Sequence, residues 1–258
     1  MLSPHQRQLA HRVQKAHAVL ATDLDGTFLG GSQDERAALY DYLRQQTHTA
    51  LIFVTGRDAA HVRYLIEEEG VPRPQFIIGD VGTSVFDGHN FAPVAPLEAW
   101  IDSHWQGDAT AQQVLAQHED HLTLQGVYGG RRRSYFISDV HKAHAAKAAV
   151  EDAGYDAIVS DDTFFDVLPR GIQKGPTLLK LIEMLDIRSE AVLAAGDTLN
   201  DLSLFHTGLN AVAVGNREPA LEAALPDAEH IFKASAPGAA GITQALHYFQ
   251  LTAPMETA

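Results

Sequence analysis

The chain has 258 residues, with 19 Lys or Arg against 33 Asp or Glu, so its formal charge is −14 with histidine neutral. This anionic excess argues against nucleic acid as the main partner, because binding a phosphate backbone needs a basic face. Hydrophobic residues make up 45% and charged residues 20%, which is typical of a packed globular protein rather than a disordered chain.

Three features of the sequence predict a cytoplasmic protein. The chain contains no cysteine, which excludes disulfides, thiolate zinc sites and cysteine nucleophiles. Residues 1–15 are polar and lack the apolar stretch of a secretory signal. No apolar run approaches the ~20 residues that a membrane-spanning helix needs. We therefore expect a soluble, cytoplasmic protein without a membrane partner, and we expect it to be a monomer.

Short apolar runs alternate with amphipathic stretches along most of the chain. Runs rich in Val, Ile and Leu predict strands at 18–22, 50–54, 76–78, 191–195 and 211–214. Stretches with a period near 3.6 predict helices at 34–44, 59–69, 176–185, 199–206 and 219–224. This alternation is typical of a mostly parallel sheet covered by helices, so we predict an α/β fold.

The middle of the chain has a different pattern. It contains both tryptophans and an Arg-rich run at 129–133. It also contains β-like segments at 134–138 and 163–168 and helix-like stretches at 109–117 and 141–153. This mixture predicts a small α+β domain inserted into the larger one. We place the core domain at 1–85 and 167–258 and the inserted domain at 86–166. Residues 252–258 are expected to form a loose tail.

The first predicted strand runs directly into two carboxylates, Asp23 and Asp25, which are followed by Gly26 and Thr27. Ligands of open α/β sheets bind beyond the carboxyl ends of the strands. On a continuing strand the two carboxylates share one face, and Gly26 allows the chain to turn sharply afterwards. One carboxylate could attack a substrate while the other transfers a proton. A plain acidic turn explains the same pair equally well.

Three further segments place reactive groups at strand ends or helix starts. Thr55 and Gly56 follow the second strand and offer a hydroxyl and an exposed amide for phosphate oxygens. Asp197 and Asp201 follow a later strand, and Lys174 precedes a helix. Simpler alternatives exist, since Thr55 and Asp197 could cap helices and Lys174 could be a solvated charge. These alternatives do not explain why all the segments fall at the edge of one sheet.

Four carboxylates are expected to converge at this edge, namely Asp23, Asp25, Asp197 and Asp201. They would repel one another in a partly dehydrated cleft unless a cation lay among them. Hard oxygen ligands select magnesium rather than zinc. Mg²⁺ beside Lys174 would convert the anionic site into one that binds a phosphate dianion.

The four segments, in this order and with an insertion between the second and the third, resemble the motifs of the haloacid-dehalogenase superfamily of phosphohydrolases. The resemblance covers almost the whole chain and implies a Rossmann-like core with an inserted α+β cap. More narrowly, four segments are similar to the sucrose-phosphate phosphatase family: FIIGDVGT at 76–83, SYF at 134–136, DVLP at 166–169 and GITQAL at 241–246.

The resemblance implies a role for each catalytic residue. Asp23 matches the nucleophile, which forms an aspartyl-phosphate with the substrate. Asp25 matches the general acid and base, which protonates the departing sugar oxygen and then deprotonates water. Thr55 and Lys174 match the residues that bind the oxygens of the transferred phosphoryl group.

The resemblance also implies a magnesium site. Its ligands are Asp23, the backbone carbonyl of Asp25 and Asp197, with Asp201 as a direct or indirect ligand. Asn200 either contacts the phosphate or orients Asp23.

The insertion is implied to be a lid that closes over the sugar and excludes bulk water. The residues expected to bind substrate are Gly56, Asn200, Arg131, Arg132, Arg133, Ser134 and Asp166. At least two of the three arginines are expected to be solvated surface residues. Sucrose-specific enzymes of the family carry a polar residue and leucine where this chain has Phe164 and Phe165, so the resemblance leaves the exact sugar open.

The expected function is magnesium-dependent hydrolysis of a sugar phosphate, with sucrose 6-phosphate as the favoured substrate and mannosylfructose phosphate or a monosaccharide phosphate as alternatives. A phosphomutase would use the same intermediate but return the phosphoryl group to a sugar. A phosphorylatable signalling domain also presents acidic residues, Thr and Lys around a sheet, but it is far shorter and lacks a counterpart of Asp25. The intact catalytic set argues against a non-enzymatic subunit of a disaccharide-phosphate synthase, while association with such a synthase stays open.

Overall fold

The computed structural model describes residues 1–126 and 130–252, which contain eleven strands and ten α-helices. The strands are β1 (Ala18–Thr22), β2 (Thr49–Val54), β3 (Phe76–Gly79), β4 (Ser84–Asp87), β5 (Leu122–Leu124), β6 (Arg133–Ile137), β7 (Tyr155–Ser160), β8 (Phe164–Pro169), β9 (Val192–Gly196), β10 (Asn210–Ala213) and β11 (Ile231–Lys233). The helices are α1 (Pro4–Gln14), α2 (Gln33–Gln45), α3 (Ala59–Glu67), α4 (Ala95–His104), α5 (Asp108–Leu115), α6 (Val140–Asp152), α7 (Lys174–Leu185), α8 (Leu202–Phe205), α9 (Pro219–Ala224) and α10 (Gly238–Tyr248).

The strands form two separate sheets. The first has seven strands in the order β11-β10-β9-β1-β2-β3-β4, and all neighbours are parallel except β3 and β4. The second has four antiparallel strands in the order β5-β6-β8-β7. The predicted α/β class with a mostly parallel sheet is confirmed.

The central strands of the first sheet are buried on both faces. Val19 and Ile52 belong to the apolar cluster on one face, and Leu20 and Phe53 belong to the cluster on the other. Burial on both faces explains why these strands are continuous apolar runs rather than alternating ones. The sheet is therefore a rigid base, and the loops at its carboxyl edge are free to carry polar groups.

Most predicted elements of the first sheet are present within one or two residues of their predicted bounds. The predicted helix at 199–206 is instead a turn at Leu199–Asp201 followed by the four-residue helix α8, because the polar residues of that turn hydrogen-bond within the loop. Elements that the pattern missed are α1, α4, α10, β4, β5, β7 and β11. Helix α1 begins with a capping box between Ser3 and Gln6 and buries Leu9 and Val13 against the first sheet.

Helices α5 and α6 cover one face of the second sheet, with Ala111 and Val150 in a cluster of their own with Tyr155 and Phe165. The division of the chain at residues 85/86 and 166/167 stays a prediction. Strand β8 continues through the second of these positions, and Leu97 and Ile101 of α4 pack into a cluster of the first sheet. Of the predicted tail, only residue 252 lies within the described part of the chain.

No helix in residues 1–126 and 130–252 is long and apolar enough to cross a membrane.

Candidate active site

The reactive residues lie at the carboxyl ends of three adjacent parallel strands. Asp23 directly follows β1, Thr55 follows β2 and Asp197 follows β9. The backbone N–H of Asp23 donates to the carbonyl of Ala195 at 2.9 Å, so the ends of β1 and β9 are held together. Parallel pairing therefore brings residues from distant parts of the sequence to one edge of the sheet.

A tight turn after Asp23 brings the first acidic loop against the second. Gly26 has a φ of 74°, and a Cβ atom there would collide with the carboxylate of Asp197, so the position requires glycine for both conformation and space. The Thr27 hydroxyl is buried and donates to Oδ1 of Asp197 at 2.8 Å. The turn thus orients one carboxylate of the site directly.

Lys174 is the first residue of α7 and is fully buried. Its Nζ atom donates to Asp23 Oδ1 at 2.7 Å, to Asn200 Oδ1 at 2.6 Å and to Asp201 Oδ1 at 2.6 Å. The close packing of Gly175 against the backbone of Ser203 lets α7 start this near the loop. The alternative of a solvated surface lysine is excluded by this burial.

Asp201 holds the loop that carries Asp197. Its Oδ2 atom accepts hydrogen bonds from the N–H groups of Asp197 at 2.9 Å and Thr198 at 3.1 Å, while its Oδ1 atom faces Lys174. Both oxygens are therefore already engaged by the protein. Asp197 does not cap a helix, because Thr198 holds the N-terminal cap position of the following turn.

Thr55 and Gly56 lie at the end of β2, and Thr55 is fully buried. The N-terminal cap of α3 is Asp58, which accepts from the N–H of His61, so the alternative role of Thr55 as a helix cap is excluded. The Thr55 hydroxyl oxygen accepts from the N–H of Arg57 at 3.1 Å and keeps its own proton for a ligand. The site therefore has a hydroxyl donor near Asp23.

Arg57, which the sequence analysis did not single out, forms a two-point ion pair with Asp25. Its Nε and Nη2 atoms donate to the two carboxylate oxygens at 2.8 and 2.7 Å. The side chain of Asp25 is 60% exposed, in contrast to the buried Asp23. The two carboxylates of the first loop thus have different surroundings, as different chemical roles require.

A cleft of about 400 Å³ separates this edge from the second sheet. The predicted site residues that line it are Asp23, Asp25, Gly56, Asn200, Arg132, Ser134 and Asp166. Thr55, Lys174, Asp197 and Asp201 are buried beside these residues. Arg131 and Arg133 are not among the lining residues, because their guanidinium groups pair with carboxylates elsewhere. The expectation that at least two of the three arginines are solvated is wrong, since the side chains of Arg131, Arg132 and Arg133 are only 17%, 10% and 13% exposed.

The profile of the family described as sucrose-6F-phosphate phosphohydrolase matches residues 16–250. The chain belongs to this family. The predicted resemblance to the haloacid-dehalogenase superfamily and to the sucrose-phosphate phosphatases is confirmed, and the family is one of phosphohydrolases.

Individual relatives are consistent with this membership. A glucosylglycerol-phosphate synthase from Pseudomonas anguilliseptica is 38% identical over 232 residues, which are 90% of this chain but only 30% of that enzyme. A mannosylfructose-phosphate phosphatase from Agrobacterium fabrum is 29% identical over 90% of this chain and 97% of its own length. The X-ray structure of the sucrose-phosphatase from Synechocystis, in complex with sucrose and phosphate, shares the fold with a TM-score of 0.83 at 23% identity and covers 91% of this chain and 98% of its own.

The electrostatics of this phosphohydrolase site are dominated by buried negative charge. Burial raises the pKa of Asp23 well above its ordinary value, and the carboxylates of Asp201 and Asp197 add to this against the opposing charge of Lys174. Burial, followed by the charge of Asp201, raises the pKa of Asp197 to about 7. For Lys174, burial lowers the pKa, but the carboxylates of Asp201 and Asp23 outweigh it and raise the pKa. Lys174 alone therefore does not neutralise the site.

The residues present fit a divalent cation. Asp23, Asp197 and Asp201 each offer a carboxylate oxygen, and these oxygens lie within 4.8 Å of one another. Three carboxylates and one ammonium carry a formal charge of −3 + 1 = −2, which a divalent ion balances. The donors are all hard oxygens, which suit Mg²⁺.

Asn216 is a second site residue that the sequence analysis missed. Its Nδ2 atom donates to the carbonyl of Gly26 at 2.9 Å and lies 3.5 Å from Asp197 Oδ2, while its Oδ1 atom accepts from Gly238. Asn216 follows the end of β10 at the same edge of the sheet. Its position just after the strand predicted at 211–214 could therefore have marked it as a site residue.

Proposed function

We propose that this protein is a magnesium-dependent phosphomonoesterase that hydrolyses a sugar phosphate through an aspartyl-phosphate at Asp23. The observation that carries the proposal is the buried ammonium of Lys174 between Asp23 and Asp201, beside Asp197. A bound Mg²⁺ would be held by Asp23 and Asp197, with the carbonyl of Asp25, and would supply positive charge to the phosphate oxygens. Asp201 would support the ion indirectly, because both of its carboxylate oxygens already accept hydrogen bonds from the protein.

In the first step, an Asp23 oxygen attacks phosphorus and the bond from phosphorus to the sugar oxygen breaks. Asp25 gives its proton to the departing oxygen, for which it must leave the ion pair with Arg57. The Thr55 hydroxyl and the Lys174 ammonium donate to the phosphoryl oxygens, where charge develops in the transition state.

In the second step, water attacks the phosphorus of the aspartyl-phosphate while Asp25 takes a proton from that water. The bond from phosphorus to Asp23 breaks, inorganic phosphate leaves, and the Asp23 carboxylate is restored. Closure of the second sheet over the cleft keeps bulk water away from the first step.

We favour sucrose 6-phosphate as substrate, with Ser134 and Asp166 binding sugar hydroxyls from the second sheet. Family membership supports a phosphorylated disaccharide, and a cleft of about 400 Å³ is of the size that encloses small ligands. Asp166 accepts a hydrogen bond from the Ser134 hydroxyl and lies 3.8 Å from Arg132. This mixture of donors and acceptors suits hydroxyl groups.

Glucosylglycerol phosphate is a second candidate substrate, favoured by the 38% identity to a glucosylglycerol-phosphate synthase. Mannosylfructose phosphate is supported by the relative from Agrobacterium fabrum. In either case the substrate would come from a glycosyltransferase that uses a phosphorylated acceptor. This chain matches only 30% of the glucosylglycerol-phosphate synthase, and the occurrence of a similar segment within a synthase supports association of this protein with such an enzyme. A phosphomutase reaction would leave the phosphoryl group on a sugar.

The deciding experiment measures inorganic phosphate released by the purified protein with Mg²⁺ from sucrose 6-phosphate, glucosylglycerol phosphate, mannosylfructose phosphate and monosaccharide phosphates. We expect the highest kcat/KM with a phosphorylated disaccharide, and we expect Asp23→Asn to abolish turnover while the far-ultraviolet spectrum is retained. Absence of release from the whole panel, or unchanged activity of the variant, would overturn the proposal. A tenfold preference for monosaccharide phosphates, about 1.4 kcal/mol in barrier, would reject the disaccharide assignment.

A further inference from the structure

Arg131 and Arg132 precede β6 and Arg133 is its first residue, and the three side chains have different partners. Arg131 donates from Nε to Asp102 at 2.5 Å and from Nη1 to Glu98 at 2.7 Å, both on α4. Its Nη1 atom also donates to the carbonyl of Thr83 at 3.1 Å. Helix α4 packs against the first sheet, so Arg131 ties the start of the second sheet to the first.

Arg132 makes a second tie, directly at the cleft. Its Nη1 atom donates to the carbonyl of Gly56 at 3.1 Å, and its Nη2 atom donates to Asp80 Oδ1 at 3.3 Å. Only 10% of its side chain is exposed. On the second sheet, the same guanidinium lies 3.8 Å from Asp166. One side chain therefore contacts Gly56 after β2, Asp80 after β3 and Asp166 of β8.

The partner of Arg132 on the first sheet lies in a strained turn. Asp80 and Val81 have φ values of 52° and 59°, which are unfavourable for a β-branched residue such as Val81. Asp80 is buried and is fixed by the Ser84 hydroxyl, which donates to its Oδ2 at 2.7 Å. The turn thus presents the other oxygen, Oδ1, to Arg132.

Among residues 1–126 and 130–252, the polar contacts of Arg133 lie within the second sheet and its helices. Its Nε atom donates to the hydroxyl of Tyr135 at 2.9 Å, and its Nη1 atom lies 3.7 Å from Asp108 of α5. Both partners belong to the second sheet and its helices. Arg133 is therefore a matched control of the same type, one position further along the chain.

We propose that Arg131 and Arg132 form a clamp that holds the second sheet over the catalytic edge of the first, and that Arg132 is a positioning residue for Ser134 and Asp166. Strand β6 starts immediately after the clamp, so fixing Arg132 also fixes the register of Ser134 against the cleft. Ser134 in turn donates to Asp166. The clamp goes beyond the proposed function, because it would hold the two sheets together whatever the substrate is.

The ion pair of Arg132 with Asp80 is largely buried, so breaking it should cost more than breaking an exposed surface ion pair. Arg131 contacts the partly exposed side of α4, away from the cleft, whereas Arg132 lines the cleft itself. Opening separates Ser134 and Asp166 from Asp23 and Thr55, which lets a product leave.

Hydrogen–deuterium exchange of the whole chain decides between a clamp and three equivalent surface charges. Arg131→Gln and Arg132→Gln are compared with Arg133→Gln, in peptides covering 54–58 and 80–86 and in a reference peptide from β10. We expect exchange at 54–58 and 80–86 to be about fivefold faster in the first two variants and unchanged in Arg133→Gln. Equal exchange in all three variants, or faster exchange in the reference peptide as well, would overturn the proposal.

Kinetics test the positioning role separately. With the phosphorylated sugar that the panel identifies, we expect Arg132→Gln to lower kcat/KM about tenfold, mainly through KM. With p-nitrophenyl phosphate, which has no sugar hydroxyls, we expect a change below about threefold. An equal loss with both substrates would contradict the positioning role. If the panel shows no activity, the proposed function fails while the exchange experiment still decides the clamp.

A double-mutant cycle links Arg132 to Asp80. Asp80→Ala, which removes the acceptor, should by itself accelerate exchange at 54–58, and it should add little in the Arg132→Gln background, because the contact is already lost. Additive effects of the two substitutions would contradict a direct tie.

Discussion

The Nζ atom of Lys174 lies 2.7 Å from Oδ1 of Asp23, although 151 residues separate them in the chain. The same ammonium reaches Asp201, and it is fully buried. Such a group is held in a low-dielectric environment only when opposite charges and acceptors surround it. The packing of α7 against the first sheet therefore does two things at once: it completes the fold and it brings a cation to Asp23.

Replacement of Lys174 should affect stability as well as turnover. Lys174→Gln leaves Asp23 and Asp201 buried without their ammonium partner, which should cost about 3–5 kcal/mol in the free energy of unfolding without magnesium. Urea unfolding measures this. Lys180→Gln is the matched control, because Lys180 lies on the same helix with its side chain 39% exposed and pairs with Glu183. Equal urea midpoints for the two variants would show that the buried ammonium has no structural role.

The pKa shifts predict how magnesium and pH act together on stability. The pKa of Asp197 is raised to about 7, so its contribution favours the fold below pH ~4 and is lost as the pH rises through about 7. The metal-free protein should therefore become less stable between pH 4 and pH 8. Mg²⁺ competes with protons for the same carboxylates, so it should raise Tm more at pH 8 than at pH 5.

Thermal unfolding with and without Mg²⁺, across this pH range, checks the prediction. Asp197→Asn should remove most of the magnesium-dependent shift at pH 8. A shift of the same size at pH 5 and pH 8 would mean that protons and the metal do not compete at this site.

Asn216 should affect magnesium binding, because it contacts Asp197 and the turn at Gly26. Asn216→Ala removes the donor that contacts both, and loss of such a supporting contact typically weakens metal binding about 10–100-fold. The midpoint of a Mg²⁺ titration, followed by Tm, measures the effect. Asn210→Ala is the control, since Asn210 lies at the opposite end of β10 and donates to the carbonyl of Glu190. Identical magnesium midpoints in both variants would leave Asn216 without this role.

The clustering of Asp23, Thr55 and Asp197 at one edge of the sheet was predictable from sequence, because its signal is local. An apolar strand buried on both faces ends abruptly at Asp23, and similar endings precede Thr55 and Asp197. Parallel pairing then brings these ends together without further information. Lys174 was placed by its position before a helix, although its burial depends on the packing of α7 against α8.

The missed parts depend on tertiary contacts. Helix α10 is rich in Gly and Ala, so its periodicity is weak, and it forms because Ile242 and Leu246 pack under the sheet. Three adjacent arginines are indistinguishable in sequence, and only tertiary contacts reveal that Arg132 faces the cleft. No pattern of neighbouring charged residues marks Asp80 in the sequence, because its partner Arg132 is distant in the chain and reaches it from the side of the second sheet.

Asp80 gives a final prediction, on the pH dependence of stability. Burial raises its pKa to about 6, against the opposing charge of Arg132 and the Ser84 hydrogen bond, with Asp58 and Glu98 adding to the rise. Because the pKa in the folded state is above the unfolded value, this group stabilises the fold below pH ~4 and loses that contribution as the pH rises through about 6.

Asp80→Asn removes this titration while keeping an oxygen that can accept from Arg132. Between pH 4 and pH 7, the free energy of unfolding of the wild-type protein should therefore fall by about 2–3 kcal/mol relative to that of the variant. Asp41→Asn, at an exposed position on α2, should show no such change. Parallel pH profiles for the wild type and Asp80→Asn would mean that Asp80 is solvated in solution, and the tie to Arg132 would then be weaker than its burial indicates.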